Sequence, residues 1–315
     1  MDSRPGDVGG WFRTASDGAL QLPKVAPWGP IAGEEFGRVS AVEDIATALD
    51  MFRGRSTMVL TGAGMSTGSG LPDYRGRDTV PRSPMTYQEF VASDLSRRRY
   101  WARSTVGWRS FVKAGPGAAH LALARLGKLT PLTGIVTQNV DGLHRLAGSH
   151  PVVALHGDLD DVVCLGCGAM SRRDELQIDL LRLNPDYAVI LDELAADVQS
   201  APDGDAEVDR TENFNYPACN ICGGILKPAV VFFGENAKRE VVSAAEALLS
   251  AADLLLVLGT SLTVMSGLRF VKRAVKDGRD VIIVNDGPTR GDSLATLRLH
   301  GRLEPVLSSW VQSLT

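Results

Sequence analysis

Four cysteines are the residues of this sequence whose spacing points most directly to a chemical role. They form two pairs, Cys164-Leu-Gly-Cys167 and Cys219-Asn-Ile-Cys222, and glycine follows each pair. Two residues between the members of a pair let both thiolates face one ion, and four thiolates make a closed tetrahedral zinc site. Two disulfides or four buried free thiols are the alternatives. The pattern predicts one zinc ion with a structural role, because four cysteines leave no position for a reactive water.

A glycine-rich turn is the second candidate site. Residues 57–61 read as a short buried strand, and Gly62-Ala63-Gly64-Met65-Ser66 follows directly. A strand, a tight turn and the start of a helix are typical of a phosphate site, where backbone amides approach a pyrophosphate. The next glycine is Gly68, so the dehydrogenase fingerprint is incomplete, and its acidic residue about 20 positions on is missing. An ordinary dehydrogenase is therefore disfavoured.

Other polar clusters follow short apolar runs in the same way. The candidate residues in these clusters are Gln138, Asn139, Asp141, His156, Gly259, Thr260, Ser261 and Asn285. Histidine suits general-base chemistry because its ordinary pKa lies near pH 6.5. A core histidine, a bare polar turn and helix-capping hydroxyls are the structural alternatives for these residues.

The elements that must position these clusters alternate between strand and helix patterns. Apolar runs at 135–136, 254–258 and 281–284 read as buried strands, and helical patterns occupy 241–249 and 268–275. Ser40 and Glu43 have capping-box spacing ahead of a helix that ends near Gly54. Such alternation predicts an α/β fold with a doubly wound, parallel, Rossmann-like sheet and ligands outside the carboxyl ends of the strands. The zinc-binding module is a smaller insertion in it.

Taken together, the motifs resemble the sirtuins, the NAD-dependent protein lysine deacylases. The resemblance covers residues 39–307 and keeps the family's order of motifs, and a finer likeness points to the class II branch. The segments that carry it are Gly62-Ala-Gly, Pro72-Asp-Tyr-Arg75, Thr137-Gln-Asn-Val-Asp141, Leu155-His-Gly157, Lys227-Pro228 through Phe233-Gly-Glu235, Gly259-Thr-Ser261 and the two cysteine pairs. Gly68, Tyr74 and Gly117 stand where the family more often has other residues.

The resemblance implies NAD and zinc as cofactors and acyl-lysine proteins or peptides as substrates. It assigns His156 as the general base and places Asn139 and Asp141 with it as catalytic residues. Asp73, Tyr74 and Arg75 would lie on a loop over the cofactor. The implied cofactor-binding set is Gly62, Ala63, Gly64, Ser66, Asp73, Tyr74, Arg75, Gln138, Asn139, Asp141, Gly259, Thr260, Ser261 and Asn285. Mono-ADP-ribosylation of proteins from the same NAD pocket is the alternative activity, and a non-enzymatic NAD- or zinc-dependent binding module is a third.

The predicted organisation has four parts. The first is an N-terminal arm of residues 1–35. The NAD-binding domain comprises residues 36–66, 128–160 and 228–315. The cofactor loop and a helical segment occupy residues 67–127, and the zinc-binding module, with an acidic insertion, occupies residues 161–227.

Composition excludes several classes of protein. Of the 315 residues, 44% are hydrophobic and 22% are charged, which is ordinary for a folded globular chain. The net charge of −4 does not indicate nucleic acid or a membrane surface as a partner. Glu246 and Asp253 interrupt the most apolar stretch, whereas a transmembrane helix needs about 20 nearly uninterrupted apolar residues. The sequence therefore does not predict a membrane span. The paired cysteines and the lack of a secretory signal pattern predict a cytoplasmic protein.

Overall fold

The computed structural model describes residues 40–75, 84–189 and 211–315. Nine strands are found in these ranges. Their bounds are β1 Thr57–Thr61, β2 Leu132–Thr137, β3 Val152–Ala154, β4 Gly157–Cys164, β5 Met170–Arg172, β6 Leu226–Val230, β7 Leu254–Leu258, β8 Asp280–Asn285 and β9 Leu297–His300. Six of them form one sheet in the order β3-β2-β1-β7-β8-β9, and β5-β4-β6 form a second.

The six-stranded sheet is parallel throughout. Every residue of β1 and β7, the two central strands, is buried. Both strands are continuous apolar or β-branched runs, as expected of strands covered on both faces. The order reverses direction between β1 and β7, which places a topological switch point where these two strands end. The predicted doubly wound parallel sheet is confirmed.

Helices cover both faces of this sheet. The helices of the described ranges that we label are α1 Val42–Phe52, α2 Tyr87–Ala92, α3 Asp94–Lys113, α4 Ala118–Leu129, α5 Leu143–Leu146, α6 Arg173–Leu183, α7 Arg239–Ser250, α8 Met265–Lys276 and α9 Leu303–Leu314. On one face α1, α4 and α9 share a core in which the rings of Phe52 and Trp310 lie 4.9 Å apart. On the other face α7 and α8 pack against the sheet through residues such as Leu249 and Phe270.

The start of α1 differs from the sequence prediction. The N-cap is Ala41, whose N–H donates to the Asp44 carboxylate at 3.1 Å. Ser40 instead joins the chain to β9: its hydroxyl accepts the N–H of His300 at 2.8 Å, and its own N–H donates to the His300 carbonyl. The predicted Ser40–Glu43 capping box is wrong, because a strand edge offered Ser40 a tertiary partner that local spacing does not reveal.

The small antiparallel sheet β5-β4-β6 carries the cysteine pairs and packs against α2, α3 and α6. A third core lies there, in which the rings of Tyr100, Phe90 and Phe232 are in mutual contact at 5.2–5.3 Å between centroids. β4 begins at Gly157 and β6 ends at Val230, so this sheet extends past residues 161–227 on both sides. The four-part division of the chain remains a prediction.

Three sequence predictions concern residues that the structure does not describe. The N-terminal arm 1–35 lies outside the described residues, and so do 76–83 of the cofactor loop and 190–210 of the acidic insertion. Within the ranges that are described, none of the helices has both the length and the apolar surface that crossing a bilayer requires.

Candidate active site and metal centre

The four cysteines converge at the tip of the small sheet. The Sγ atoms of Cys164, Cys167, Cys219 and Cys222 all lie within 4.8 Å of one another. Cys164 ends β4, and the two glycine-bearing turns that follow the pairs bring the sulfurs together. All four are free thiols, so the disulfide alternative is wrong. Four convergent sulfurs with no carboxylate or histidine among them fit a tetrahedral structural zinc ion.

The backbone favours the thiolate of Cys164 in particular, whereas the hydrogen bond with Cys164 raises the pKa of Cys222 to about 12. Backbone amides of Cys167 and Gly166 lower the pKa of Cys164 to about 6, and the Gly166 N–H lies 3.3 Å from its sulfur. Gly224 packs against two of the sulfurs, and a Cβ at that position would lie 2.9 Å from the Cys164 Sγ. The chain therefore fits zinc closely, and Cys164, Cys167, Cys219 and Cys222 would hold it.

The glycine-rich turn after β1 packs directly on the turn after β7. A Cβ on Gly64 would lie 3.0 Å from the Cα of Gly259, and a Cβ on Gly62 would lie 2.6 Å from the Cβ of Thr260. The N–H groups of Gly62 and Gly64 donate to the carbonyls of Leu258 and Gly259. The sequence predicts that these two amides approach a pyrophosphate. In the structure they hold the two strand-end turns together, and Ala63–Met65 form a short 3-10 turn above them.

Polar side chains from the end of β2 meet this turn. The Asn139 amide donates to the Gly62 carbonyl and to the Ser66 hydroxyl, both at 3.0 Å. Ser66 in turn donates to the Asp141 carboxylate at 2.6 Å. The Gln138 amide donates to the Thr260 hydroxyl at 3.1 Å. The parallel sheet thus brings the ends of β1, β2 and β7 into one hydrogen-bonded cluster, as the strand-end argument predicted.

Of the remaining predicted cofactor residues, three lie on the loop after Leu71, and the others follow β7 and end β8. Asp73 accepts the N–H of Arg75 at 3.1 Å, and the Tyr74 ring contacts Phe233 with centroids 6.3 Å apart. Burial lowers the pKa of Arg75. Ser261 pairs with the hydroxyl of Thr263 after β7. Asn285 ends β8, and its amide donates to the Gly287 carbonyl at 2.8 Å.

His156 lies between β3 and β4, where the two sheets meet. Its Nδ1 is 2.9 Å from the Gln138 carbonyl oxygen, and its Nε2 is 2.8 Å from the Ser266 hydroxyl. Its own carbonyl accepts the N–H of Val231 at 2.7 Å, which ties it to the segment after β6. Burial lowers the pKa of His156, and the positive charge of Arg269 acts in the same direction. The side chain is therefore a neutral imidazole near pH 7, which is the form that a general base needs.

Two residues at this site were missed by sequence reasoning. Ser266 and Gly267 open α8, and a Cβ on Gly267 would lie 2.5 Å from the Gln138 side-chain oxygen. Both residues come several positions after the predicted strand 254–258, and their spacing from the other site residues matches no motif. Their role depends on α8 returning to the end of β2, which is a tertiary contact that local sequence does not encode.

His120 and His144 form a buried pair beneath the cluster. Their ring centroids are 4.9 Å apart, His144 Nε2 lies 2.9 Å from the Thr61 hydroxyl, and His120 Nδ1 lies 3.5 Å from the Ser69 hydroxyl. Burial lowers the pKa of His120 and brings that of His144 to about 3. The sequence predicts a structural role for His120 and none for His144, and the structure buries both rings, which contact Thr61 at the end of β1 and Ser69 in the segment that follows.

Comparison with known proteins agrees with this architecture. The Sir2 family profile matches residues 62–266. NAD-dependent protein deacetylase 1 of Streptomyces coelicolor is 49% identical over 270 residues, which is 84% of this chain and 88% of that protein. A solved structure of Sir2 with a p53 peptide and NAD+ superposes with a TM-score of 0.67 at 28% identity, covering 87% of this chain and 98% of that one. A structure of Sir2Tm bound to a propionylated peptide gives a TM-score of 0.65 at 27% identity, with coverage of 87% and 98%.

A parallel sheet with polar strand ends at its switch point is joined here to a four-cysteine module that fits structural zinc, and the relatives of this chain are named as NAD-dependent enzymes. The chain belongs to the Sir2 family.

Proposed function

We propose that this chain removes acyl groups from lysine side chains of proteins, using NAD as the second substrate and His156 as the general base. The observation that carries this proposal is the environment of His156, whose Nδ1 faces a backbone carbonyl while Nε2 faces a hydroxyl at the junction of the two sheets. NAD-dependent protein deacetylation is the activity named for the Streptomyces coelicolor relative.

The donor set at the ends of β1, β2 and β7 fits a dinucleotide. The two close-packed glycine turns leave room for a ligand, and the neutral groups beside them are the hydroxyls of Ser66 and Thr260 and the amides of Gln138 and Asn139. These groups suit the oxygens of a pyrophosphate and a ribose, while the Asp141 carboxylate, which accepts from Ser66, suits ribose hydroxyls. Bound NAD would supply the ribose carbon that receives the acyl oxygen once nicotinamide leaves.

The side chains of the cluster have distinct roles in the proposal. His156 accepts a proton from a ribose hydroxyl at Nε2, because Nδ1 already donates to Gln138. Asn139 and Asp141, held by Ser66, orient the nicotinamide ribose and the carboxamide. Asp73, Tyr74 and Arg75 belong to the loop that we propose lies over the cofactor, and the structure describes this loop as far as residue 75. Ser261 and Asn285 would contact the adenosine half.

Mono-ADP-ribosylation is the weaker candidate. It needs the same cofactor residues but no acyl-lysine substrate, and the named activity of the relative is deacetylation. The solved relatives whose descriptions name a p53 peptide and a propionylated peptide support acyl-lysine peptides as the substrates of this chain.

The balanced net charge favours neither nucleic acid nor a membrane surface as a partner. Four free thiols poised for zinc support a reducing, cytoplasmic location.

The test removes the base. His156→Ala is expected to lower deacylation of an acetyl-lysine peptide by about 10²–10⁴-fold, the usual contribution of a general base. Binding of NAD, measured by calorimetry, is expected to change little because the ring contacts neither glycine turn. Mass spectrometry of the peptide and of released nicotinamide measures the reaction.

His150→Ala is the matched control, because His150 is an exposed histidine outside the cluster, and it should retain wild-type turnover. Full activity of His156→Ala on the best acyl-peptide would show that another group is the base. Transfer of ADP-ribose to protein, with no deacylation of any acyl-peptide in a panel, would favour the alternative activity.

A further inference from the structure

The two hydrogen bonds of His156 fix which ring nitrogen carries the proton. Nδ1 faces the carbonyl oxygen of Gln138, which has no proton to give, so Nδ1 must carry hydrogen. The lowered pKa keeps the ring neutral, and Nε2 is then a bare lone pair. The Ser266 hydroxyl at 2.8 Å therefore donates to Nε2.

The start of α8 is built to bring this hydroxyl close. Val264 is the N-cap of α8 and Ser266 lies in its first turn. Gly267, the next residue, leaves room for the side chain of Gln138, whose oxygen would lie 2.5 Å from a Cβ there. The same Gln138 supplies the carbonyl that binds Nδ1. The two partners of His156 thus come from segments that pack directly on each other.

We propose that Ser266 is a positioning residue of the catalytic base: its hydroxyl occupies the single lone pair of Nε2 and holds the His156 ring in place until a ribose hydroxyl takes over that hydrogen bond. The inference rests on the proposed role of His156. Ser266 keeps its own proton and acts through His156, and the ribose hydroxyl is the group that gives up a proton in the reaction.

The hydrogen bond to Ser266 and one nearby charge act on the His156 ring. Among the described residues, that charge is Arg269 on α8, which lowers the pKa of His156. Ser266 donates to the neutral ring, and its hydroxyl can rotate to accept from the Nε2–H of the protonated ring, a charge-assisted hydrogen bond that is the stronger of the two. Removing the hydroxyl therefore lowers the pKa of His156, and the ring stays neutral to lower pH.

The experiment compares Ser266→Ala with the wild-type zinc-loaded protein in two ways. The acid limb of kcat/KM for an acetyl-peptide is expected to move to lower pH by about half to one unit, the size of one hydrogen bond. Without NAD, ¹⁵N-histidine NMR is expected to show the same downward shift in the titration of His156, assigned through His156→Ala. Binding of NAD should be unchanged.

Two further variants separate positioning from a merely structural role. Ser266→Thr keeps the hydroxyl and is expected to restore both titrations. Ser243→Ala removes an exposed hydroxyl from α7 and is expected to change neither. A uniform loss of activity in Ser266→Ala with both titrations unmoved would overturn the inference, and so would an acyl or ADP-ribosyl group found on Ser266 by mass spectrometry. An active His156→Ala would instead overturn the proposed function.

Discussion

Gly259 shows how little space separates the turn after β1 from the turn after β7, where we propose that the cofactor binds. Its φ of +61° is in the left-handed region, and a Cβ there would lie 2.8 Å from both the carbonyl carbon of Gly64 and the N of Met65. The obstructing atoms are backbone, which has no rotamer to move aside. Backbone conformation and close approach therefore both require glycine at this position.

Gly259→Ala is expected to separate the turns after β1 and β7. We expect the free energy of unfolding to fall by about 1–3 kcal/mol, and the affinity for NAD to fall by more, because the hydroxyl of Thr260 moves with the turn. Chemical denaturation and calorimetry measure the two effects. Gly115→Ala is the control, since a Cβ there meets nothing within 4 Å; an equal loss of NAD affinity in both variants would contradict the argument.

Some residues of the candidate site could be predicted from the sequence, and others could not because their contacts join distant segments of the chain. Gln138, Asn139 and Asp141 follow a buried strand, and parallel strands end at one edge, so their convergence could be predicted. Ser266 contacts His156 only because α8 packs against the end of β2, and Ser40 caps nothing because β9 binds it. Contacts between distant segments leave no spacing signal in the chain.

Arg173 joins two elements, α6 and α3, through a buried charge. The side chain is 1% exposed, and its guanidinium carbon lies 4.8 Å from the ring centroid of Trp108 and 5.6 Å from that of Trp101. Nη2 donates to the Ser104 carbonyl and hydroxyl, while Nη1 finds no hydrogen-bond partner in the described ranges. Burial lowers the pKa of Arg173 to about 10. Packing and the contacts of Arg173 with the two rings therefore stabilise the pairing of α3 with α6, while the burial of the positive charge destabilises it.

Arg173→Met keeps the length of the side chain and removes the charge. We expect an unfolding temperature equal to or above that of the wild type, whereas Arg173→Ala leaves a cavity and loses about 2–4 kcal/mol. Differential scanning calorimetry compares them. Arg99→Met, at an exposed position of α3, controls for loss of a positive charge. A Met variant as unstable as the Ala variant would mean that the guanidinium itself stabilises the pair of helices.

Whole elements were predictable to different degrees. The pattern of residues 57–61 and 254–258 matches the bounds of β1 and β7, because strands buried on both faces need continuous apolar residues. β3 and β5 have three residues each and carry too little pattern to detect, and β4 places Asp158, Asp160 and Asp161 in a strand. The small sheet is therefore set by its partners and by the cysteine cluster more than by strand propensity.

Across the molecule, buried histidines make folding sensitive to acid. The pKa values of His120, His144 and His156 are all lowered, chiefly by burial. A histidine with a lowered pKa in the folded state is neutral there, while in the unfolded chain it takes up a proton near pH 6.5. Stability is therefore unaffected by these groups well above pH 6.5 and is lost as the pH falls below it.

His144 allows this argument to be tested. Its pKa in the folded protein is about 3, so its proton is taken up only on unfolding between pH 6.5 and 3. Between pH 7 and pH 5 this linkage removes about 2 kcal/mol of the free energy of unfolding. In His144→Gln we expect lower stability at pH 7, because the contact with Thr61 changes, but a loss between pH 7 and 5 that is smaller by about that amount. Urea unfolding at both pH values measures it, with exposed His150→Gln as the control. Identical pH dependence in the two variants would show that the acid sensitivity comes from other groups.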